Sequence, residues 1–595
     1  MLNSTDTISN IKIETIMKNM KKISSLILSV LLLTGCYEDK GNYDYSLDRM
    51  NEITSVTFSP SVAVSPKGDV IEVQQALDED DRRRRIDAIV EQTIAKDLEN
   101  LEFYWCRTYV DENGKGVKDT ILTKGFLEFD LPVGKAMSYD IYLQIYDTST
   151  DLSHYSSFKV NTRPVFKNSL FVMHGEEGKR KIGNIEVIGN ETKIYTDVKS
   201  VTRDNNHYEN AEGFGYTTYI NIPEDLSNIG EVNALTVYGD NGETRAYDPH
   251  GMRVKFTASQ LFKPESGNFS YKKTIQTGDP SNYTQCKVVL SDNGEAYVGN
   301  YVHALYKPGY GCVDNPDLPH ETDYEITAAT ITDNRFLMWD AKNGRFLYSA
   351  KQDPGFAIDE TNSIRPNYVS MSPLLDAHVK FQGLQKSPVG MTAVMGYINY
   401  RDSYDQQNPF FIFKDEATGD YYRYELLMQD IGDGSKVKRS RAAGEEEEEV
   451  LSAYTVISEK KLTGLTPDDM STITYNSWFT TTNLFFAEGN TVYRYNASNG
   501  DKFVVYEAPE GYDVTKIKFR TEESSAFSDD LGLYLNIVLF NGVNGAVAEI
   551  KFDTAADVDN DYTPQFYDKD NEGNLWGEIK DIQFVYEYMY KVTEY

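Results

Sequence analysis

Apolar and polar residues alternate along several short stretches of the chain, and this period of two predicts β-strands. Leu101, Phe103 and Trp105 fall on one face of such a stretch, and Tyr139–Asp147 alternates in the same way. Further short strand-like runs lie on either side of these two. We therefore predict a small β-domain over residues 50–163.

One segment of this domain follows a different period. Four acidic residues precede Arg82, Arg83, Arg84 and Arg85, and apolar residues then recur at helical spacing, at Ile86, Ile89, Val90, Ile94 and Leu98. This pattern predicts a helical insertion near residues 78–99. The arginine run invites a nucleic-acid or heparin-binding interpretation, but the adjacent acids neutralise it locally, so a solvated helix face is favoured.

From residue 164 onward the pattern becomes a repeated strand–turn–strand unit. Pairs of strand-like runs flank the turns at Asn343-Gly344, Thr418-Gly419 and Asn499-Gly500. Glycine after a short polar residue supplies the positive φ angles of tight hairpins. About 430 residues of such hairpins, in units of roughly 60, predict a β-propeller of six to eight blades, with seven favoured, over residues 164–595.

The end of the chain carries one more strand-like run. We expect the last complete repeat to end near Phe552, which leaves Ile579–Tyr586 over. This run resembles Tyr512–Phe519, which begins a repeat. We therefore predict that it pairs beside Ser169–Met173 in the first repeat, so that no sheet edge is left open.

One stretch of this region has no apolar anchor. Residues 432–450 contain a basic block followed by five glutamates, Glu445–Glu449. We predict a disordered loop near residues 432–450, and a partner-docking arm is the alternative interpretation.

The amino-terminal residues follow the pattern of an export signal. Lys18, Lys21 and Lys22 precede an apolar run from Ile23 to Leu33, and small residues then lead to Cys36. The run is too short to span a bilayer as a mature helix. It resembles a bacterial lipobox, in which Cys36 becomes the lipid-bearing first residue of the mature protein; the alternative is an ordinary secretory signal.

Residues 1–35 are accordingly assigned to a signal peptide, with Met17 or Met20 as the expected true start. Residues 36–49 are acidic, aromatic and rich in Gly and Asn, which predicts a flexible surface tether. Acidic residues directly behind the lipid cysteine also resemble the signal that exports Bacteroidetes lipoproteins to the outer face of the outer membrane.

The net charge of the chain limits the classes of molecule that we expect it to bind. A formal net charge of −33 repels phosphate backbones and anionic membrane surfaces, so we expect no nucleic-acid binding and membrane attachment only through lipid on Cys36. Beyond Cys36 there are three cysteines. We expect Cys106 to be a buried small hydrophobe, while Cys286 and Cys312 could pair in an oxidising compartment.

The sequence lacks the common catalytic motifs. The seven histidines form no His-Glu-x-x-His, and neither a Gly-x-Ser-x-Gly elbow nor a phosphate-cradling loop is present. A pair of carboxylates that catalyses hydrolysis is still an alternative, because the many acidic residues allow many pairings and only their distances can distinguish these. Asp568, Asp570 and Glu572 have the spacing of calcium ligands, but Ile579 stands where a calcium loop needs glutamate, so a solvated loop is favoured over calcium.

Aromatic side chains in loops could bind sugars or peptides. Trp478, Trp576 and the Tyr306–Gly311 loop are candidates for such a platform, whereas Trp339 lies in a predicted strand and is expected in the core. No residue of this group can be assigned as a ligand contact from the sequence alone.

The Gly-Cys-Tyr-Glu-Asp-Lys-Gly-Asn-Tyr-Asp-Tyr start at residues 35–45 and the strand pattern of residues 50–163 resemble the PKD-like family of Bacteroidetes lipoproteins. The resemblance implies an immunoglobulin-like sandwich of the PKD type. It also implies an accessory lipoprotein facing the cell exterior, which works with a SusC-type transporter and a SusD-type lipoprotein on peptide or glycan cargo.

Three hypotheses follow. The first is a non-catalytic module that binds polymer at the cell surface. The second is a surface hydrolase or lyase that uses a carboxylate pair in the propeller. The third is a structural subunit that contacts only the transporter.

Overall fold

The computed structural model of the chain is an all-β protein. It describes residues 50–60, 63–67, 70–77, 79–111, 115–123, 125–132, 137–188, 191–202, 206–221, 230–239, 243–263, 269–277, 286–299, 305–307, 321–332, 335–350, 356–358, 364–366, 373–398, 408–428, 437–440, 446–449, 454–476, 479, 482–521 and 531–586. Helical structure in these ranges comprises α1 (Lys199–Thr202), α2 (Ala258–Leu261) and the 3₁₀ turns Met470–Thr472 and Leu531–Leu533. None of the described helices has both the length and the apolar character needed to cross a membrane.

The chain divides into two compact units. The first comprises Met1–Ser61, Arg85–Glu128 and Tyr139–Lys159. The second comprises Val62–Arg84, Phe129–Ser138 and Val160–Tyr595. Each unit is described separately below.

Nine strands cover the amino-terminal region. They are β1 (Ile53–Pro60), β2 (Ala63–Lys67), β3 (Val70–Gln74), β4 (Arg83–Gln92), β5 (Leu101–Val110), β6 (Gly116–Thr123), β7 (Phe126–Asp130), β8 (Ser138–Asp147) and β9 (Leu152–Arg163). They form a three-stranded sheet in the order β1-β4-β7 and a six-stranded sheet in the order β2-β3-β9-β8-β5-β6.

The core of the first unit is built on the predicted alternation. Leu101, Phe103 and Trp105 on β5 are all buried, while the residues between them are not. The Trp105 ring packs edge-on against Phe58 and Phe158 at centroid distances of 6.2 and 6.4 Å. The prediction of one apolar face on this strand is therefore confirmed.

The predicted helical insertion near residues 78–99 is wrong. Arg83–Gln92 is strand β4, and its buried and exposed positions alternate at its start. The helical interpretation would bury Ile89, Ile94 and Leu98, yet these side chains are 51%, 52% and 41% exposed. The sequence of the segment fits both the helical period and the strand period of two. It forms a strand because β4 pairs with β1 along its length.

The arginine run is also not a uniform solvated face. Arg84 is buried, and its guanidinium donates to the carbonyl oxygens of Gln74 and Gln75 at 2.9 and 3.0 Å. It also forms an ion pair with Asp81 at 3.2 Å. This arginine is therefore a structural residue that satisfies backbone carbonyls.

Strands β10–β42 follow in the second unit. They are β10 (Ser169–His174), β11 (Lys181–Ile188), β12 (Glu191–Tyr195), β13 (Ala211–Asn221), β14 (Gly230–Gly239), β15 (Arg245–Asp248), β16 (Arg253–Thr257), β17 (Phe262–Lys263), β18 (Tyr271–Thr277), β19 (Cys286–Ser291), β20 (Ala296–Gly299), β21 (Leu305–Tyr306), β22 (Ile326–Ile331), β23 (Arg335–Asp340), β24 (Arg345–Ala350), β25 (Phe356–Ile358), β26 (Ile364–Pro366), β27 (Leu375–Asp376), β28 (Thr392–Ile398), β29 (Pro409–Asp415), β30 (Asp420–Met428), β31 (Val437–Ser440), β32 (Glu446–Glu449), β33 (Tyr454–Lys461), β34 (Ile473–Thr474), β35 (Asn483–Glu488), β36 (Thr491–Asn496), β37 (Lys502–Glu507), β38 (Asp513–Phe519), β39 (Tyr534–Phe540), β40 (Gly545–Lys551), β41 (Gln565–Tyr567) and β42 (Ile579–Val585).

In the described residues these strands form seven sheets of four or five strands, numbered here in chain order. Their orders are β12-β11-β10-β42, β13-β14-β15-β16, β17-β21-β20-β19-β18, β22-β23-β24-β27, β28-β29-β30-β33, β34-β35-β36-β37 and β38-β39-β40-β41. Two additional two-stranded sheets, β25-β26 and β31-β32, lie between them in sequence.

The predicted hairpins are confirmed, together with their turn chemistry. The turns β23–β24, β29–β30 and β36–β37 place Gly344, Gly419 and Gly500 at φ angles of +63°, +74° and +83°. A side chain is strained in this left-handed region, so glycine is needed there.

Two boundary predictions need correction. The seventh sheet does not end near Phe552, because β41 adds a fourth strand. The segment predicted as a disordered loop near residues 432–450 contains the hairpin β31–β32, in which Lys438 is opposite Glu448 and Arg439 is opposite Glu447.

The last strand pairs as predicted. β42 runs antiparallel to β10, with Leu170 opposite Phe584 and Val172 opposite Ile582. The strand that completes the first sheet therefore comes from the other end of the second unit. The predicted pairing of Ile579–Tyr586 beside Ser169–Met173 is confirmed.

The hydrophobic cores of the second unit lie between pairs of sheets. Six clusters join consecutive sheets: first with second, second with third, and so on to sixth with seventh. A further cluster packs Val538 and Val547 of the seventh sheet against Leu170 and Val172 of the first. The seventh and first sheets therefore also share a core.

Candidate functional site

A cavity of about 250 Å³ lies among the edge strands of the second unit. Its lining comes from β18, β22, β28, β34, β38 and β42, each at one edge of its sheet, from Leu290 of the internal strand β19, and from the turn before β34. The lining residues Lys272 and Asp469 are exposed, so the cavity communicates with solvent.

Six charged residues stand in this lining among apolar ones. They are Lys272, Lys273, Lys516, Lys518, Asp469 and Asp581. The apolar part of the lining includes Ile275, Leu290, Val394, Met395 and Ile517. The cavity is therefore cationic on a chain whose net charge is strongly negative.

A recurrent β-bulge shapes the strands that surround the cavity. Register shifts near the start of β13, β18, β22, β28 and β38, and a similar shift in β42, each leave one extra residue without a partner across the sheet. The extra residues are Glu212, Lys272, Thr327, Val394, Thr515 and Lys580. A bulge interrupts strict alternation and redirects side chains. Lys272, the extra residue of β18, and its neighbour Lys273 both belong to the cavity lining.

Two of the lysines connect the seventh sheet to β42. Lys516 Nζ lies 2.8 Å from Asp581 Oδ1 and 3.0 Å from the carbonyl oxygen of Lys580. Lys518 Nζ lies 2.9 Å from Gln583 Oε1 and 3.1 Å from the carbonyl oxygen of Ile582. Both lysines therefore bind residues of β42 and also belong to the cavity lining.

Asp581 has contacts in three sheets. It belongs to β42 of the first sheet, binds Lys516 of the seventh, and accepts a hydrogen bond from the backbone N–H of Phe214 in the second at 2.8 Å. Burial opposes ionisation, but the charges of Lys516 and Lys518 outweigh it and lower the pKa of Asp581. The carboxylate is therefore ionised at neutral pH.

Tyr271 positions the strand that carries Lys272 and Lys273. Its ring stacks on Tyr238 at 4.5 Å, and its hydroxyl donates to the carbonyl oxygen of Phe214 at 2.9 Å. A Cβ on Gly213 would lie 1.9 Å from this ring, so only glycine leaves room for it. Burial, and then the charge of Asp581, raise the pKa of Tyr271 well above its usual range, so the hydroxyl stays protonated.

Some polar groups of the lining have no protein partner within the described ranges. The hydroxyl oxygen of Thr327 is buried and accepts or donates no hydrogen bond there. Lys272 and Lys273 form no ion pair with any described residue, in contrast to Lys516. These groups are available to a ligand.

The carboxylates predicted as calcium ligands do not converge. No group of three or more His, Cys, Asp or Glu side chains in the described part of the chain is placed to hold a metal. Asp570 instead organises its own loop: it accepts hydrogen bonds from the backbone of Glu572 and from Thr196, at 3.0 and 2.8 Å. Burial raises its pKa, but hydrogen bonds led by those from Asn574 lower it overall. Asp568, Asp570 and Glu572 are therefore not assembled into a calcium site.

Trp576 is not an exposed aromatic platform. Its side chain is fully buried in the core between the seventh and first sheets, with its ring edge-on to His174 at 5.1 Å. The sequence placed it in a loop, but its ring packs so closely on β11 that a Cβ on Gly183 would lie 2.3 Å from it. Trp339 is buried as expected.

The remaining predicted residues are placed only in part. Cys36, Cys312, Trp478 and most of the Tyr306–Gly311 loop lie outside the described residues. Lys307 of that loop pairs with Glu295 at 2.9 Å. Cys106 is a free thiol, half-buried on the face opposite Trp105, so the expectation that it is buried is wrong.

The lysines of the cavity were missed by sequence reasoning. Each stands in a strand-like run where a lysine suggests a solvated face. A polar residue inserted between strand residues, as in Tyr271-Lys272-Lys273-Thr274, is the one weak signal of a bulge.

Comparison with known proteins gives one family match. A sequence model described as the PKD-like family matches residues 36–209, less than half of the chain. The match extends past residue 163 through β10–β12 and α1. No curated protein matches the chain.

Solved structures resemble the chain weakly. One is a quinonprotein alcohol dehydrogenase-like protein from Bacteroides thetaiotaomicron, with 9% identity over 88% of this chain and 99% of that chain, at a TM-score of 0.33. Another is the extracellular domain of a one-component system from B. thetaiotaomicron, with 11% identity over 63% of this chain and 37% of that chain, at 0.27. A third is the Dos1 propeller, with 8% identity over 86% and 94%, at 0.26.

Proposed function

We propose that this chain is a lipoprotein anchored through Cys36 on the outer face of the outer membrane, where it binds a peptide or glycan ligand without cleaving it. The observation that carries the proposal is the coincidence of two independent features at residue 36: the signal-like segment ends there, and the PKD-like match begins there. A PKD-like domain fits a secreted or surface protein.

The second unit supplies the binding module in this proposal, as a seven-bladed β-propeller with each numbered sheet as one blade. The cyclic order of the hydrophobic cores supports it, because each sheet packs on its two neighbours in sequence and the seventh packs on the first. Edge strands that surround a common cavity are what such an arrangement requires.

The two acids of the cavity support binding rather than hydrolysis. Asp581 is held as a carboxylate by Lys516, which suits neither the proton donor of a glycosidase nor a free nucleophile. Asp469 caps the turn before β34 by accepting from the backbone N–H of Ser471 at 2.6 Å. A hydrolase or lyase with a carboxylate pair elsewhere is the alternative.

The partner assignment rests on the family resemblance alone. The proposed partners are a SusC-type transporter and a SusD-type lipoprotein, and this chain is the accessory subunit of their uptake system. A structural subunit that contacts only the transporter would share this location and lack the ligand.

The anchor is tested in intact cells of the native host. Mass spectrometry of the mature protein is expected to find acyl chains on Cys36, and external protease is expected to degrade the protein without lysis. Cys36→Ser is the matched control and should release the protein from the membrane. An unmodified Cys36, or protection from external protease in intact cells, contradicts the proposal.

Binding and catalysis are separated by one incubation. Peptide and glycan mixtures are exposed to the purified full chain, and both bound and unbound material is sequenced or profiled. Bound, chemically unchanged ligand supports the proposal, whereas new chain ends support the hydrolase alternative. Co-purification of the acylated protein from its outer membrane identifies the transporter partners.

A further inference from the structure

We propose that the cavity of the second unit recognises a carboxylate group of its ligand, and that Lys272 and Lys273 are the residues that bind it. This inference rests on the proposed function, since it assigns a chemical class to the ligand of that module. The carboxylate can belong to an acidic sugar or to a peptide terminus, and both present the same planar, bidentate anion.

The first argument is the charge balance of the lining. Four lysines face two aspartates, and Asp581 already neutralises Lys516 through a contact of 2.8 Å. Asp469 is committed to capping the turn before β34. The lining therefore has an excess of positive charge; Lys518 donates to Gln583 and to the Ile582 carbonyl, whereas Lys272 and Lys273 have no such partner among the described residues.

The second argument is the cost of placing two ammonium groups next to each other. Like charges on adjacent positions repel, and partial removal of water increases that repulsion. The chain has 92 acidic and 59 basic residues, so acidic side chains that could neutralise the two lysines are abundant in its sequence. No described acid forms an ion pair with either lysine. Glu212, on the neighbouring bulge, accepts instead from the backbone N–H of Tyr271 at 2.7 Å.

The third argument is that the arrangement is held in place. Lys272 is the extra residue of the bulge, both lysines belong to the cavity lining, and Tyr271 fixes the start of the strand by its contacts with Tyr238 and Phe214. A fixed backbone reduces the conformational entropy that is lost when side chains bind a ligand. The backbone positions of both lysines are therefore set before an anion binds.

The rest of the lining suits the body of such a ligand. Apolar side chains such as Ile275 and Met395 offer contact area, and the buried hydroxyl of Thr327 offers one hydrogen bond. A carboxylate joined to a hydroxylated or amide-bearing body meets all three features. A purely cationic ligand would be repelled.

The experiment is isothermal titration of the purified full mature chain with two matched pairs of probes. The sugar pair is trigalacturonate and its methyl ester, and the peptide pair is pentaalanine and its C-terminal amide. The acidic member of at least one pair is expected to bind at least tenfold more tightly than its neutral partner. Its affinity should fall with added salt, because the attraction is between charges.

Variants assign the effect to the two lysines. Lys272→Gln combined with Lys273→Gln is expected to weaken binding of the acidic probe at least tenfold, while Lys272→Arg with Lys273→Arg should retain most of it. The matched control is Lys96→Gln with Lys118→Gln, which removes two exposed lysines of the first unit and should bind as the wild type does. Equal thermal unfolding of all variants excludes a folding defect.

Three results would overturn the inference: equal binding of acidic and neutral probes, unchanged affinity in the glutamine double variant, or binding of no probe. Equal binding of a neutral probe would leave the proposed surface-binding function standing and remove only the carboxylate assignment. Failure of the Cys36 and protease experiments would instead refute the surface location, whatever the probes show.

Discussion

Two junctions of the second unit are held together by different chemistry. Between the fourth and fifth sheets the core is aromatic: the rings of Trp339 and Phe346 in the fourth sheet lie 4.8 Å from Phe413 and Phe411 in the fifth, respectively. Between the seventh and first sheets, here termed the closing junction, an apolar core is supplemented by the ion pair Lys516–Asp581.

The closing junction contains further polar contacts. His174 Nδ1 accepts from the backbone N–H of Gly577 at 3.1 Å, and its Nε2 lies 2.7 Å from the carbonyl oxygen of Thr196. Arg520, beside the end of β38, stacks over the Phe584 ring at 4.4 Å. Charged and directional groups thus supplement the apolar core at this junction.

The difference follows from how each junction finds its register. Consecutive sheets are neighbours along the chain, so they meet without a long search; their apolar cores are non-directional, and polar contacts such as that from Tyr271 to Phe214 supplement them. β42 must find β10 across some 400 residues of sequence, and a slip by one residue would turn its apolar face outward. Asp581 can meet Lys516 and the Phe214 N–H in one register only. We infer that polar contacts specify the closing junction while apolar area stabilises it.

The largest expected effect is the loss of the closing strand. A chain that ends after Trp576 lacks β42, which uncovers the edge of β10 and the core side chains Leu170 and Val172. We expect the second unit to fail to fold, which limited proteolysis and circular dichroism would detect. A chain that ends after Tyr586 is the matched control and should fold. A soluble, folded product of the shorter truncation would refute closure by β42.

The next effect concerns the aromatic junction. Trp339→Ala removes a ring that is 1% exposed and should lower the free energy of unfolding by about 4 kcal/mol through the cavity it leaves. Trp339→Phe should cost less than half as much, because it keeps one aromatic ring in place. Urea unfolding of both variants measures the difference, and near-equal stability of Ala and Phe would show that the ring does not carry this junction.

A smaller effect is expected at the closing ion pair. Asp581→Asn keeps an acceptor for the Phe214 N–H but leaves Lys516 without its counterion, at a cost of about 2 kcal/mol in the free energy of unfolding. Combination with Lys516→Met should cost less than the sum of the two single changes. Strict additivity in this double-mutant cycle would show that the pair does not couple the sheets.

The smallest effect is a pH dependence at His174. Burial lowers the pKa of His174, with the charge of Lys181 acting in the same direction and the Thr196 carbonyl and Asp197 opposing it. The unfolded chain therefore binds a proton at this residue that the folded chain does not, and stability falls as pH decreases below about 6.5.

The comparison that isolates His174 is its replacement by a side chain that does not titrate. His174→Gln should lose less stability than the wild type between neutral and mildly acidic pH, measured by urea unfolding midpoints. His207→Gln, at an exposed histidine, is the control and should follow the wild type. Parallel pH profiles for wild type and His174→Gln would contradict the assignment.

Local turn chemistry and end-to-end pairing could be predicted from the sequence. The hairpins could be predicted from Gly344, Gly419 and Gly500, because tolerance of a positive φ angle depends on the type of a single residue. The leftover run that became β42 was recognisable because it resembles Tyr512–Phe519 and had no partner nearby. Both predictions rest on information contained in short segments.

Features that depend on distant packing could not be predicted. Residues 83–92 satisfy a helical and a strand period, and only pairing with β1 decides between them. Trp576 is buried because the first and seventh sheets pack around it, and Lys272 and Lys273 meet residues of distant strands in one cavity. Among the predicted calcium ligands, Asp570 accepts hydrogen bonds from Asn574 and Thr196 instead.

Hydrogen exchange of the intact full chain tests the closing junction most directly. Peptides that cover β42 and β10 should exchange together and slowly, at the rate set by global unfolding of the second unit, because each strand protects the amide groups of the other. Fast exchange of β42 beside a protected β10 would show that the terminal strand is not part of the first sheet, and the closed cycle of sheets would be contradicted.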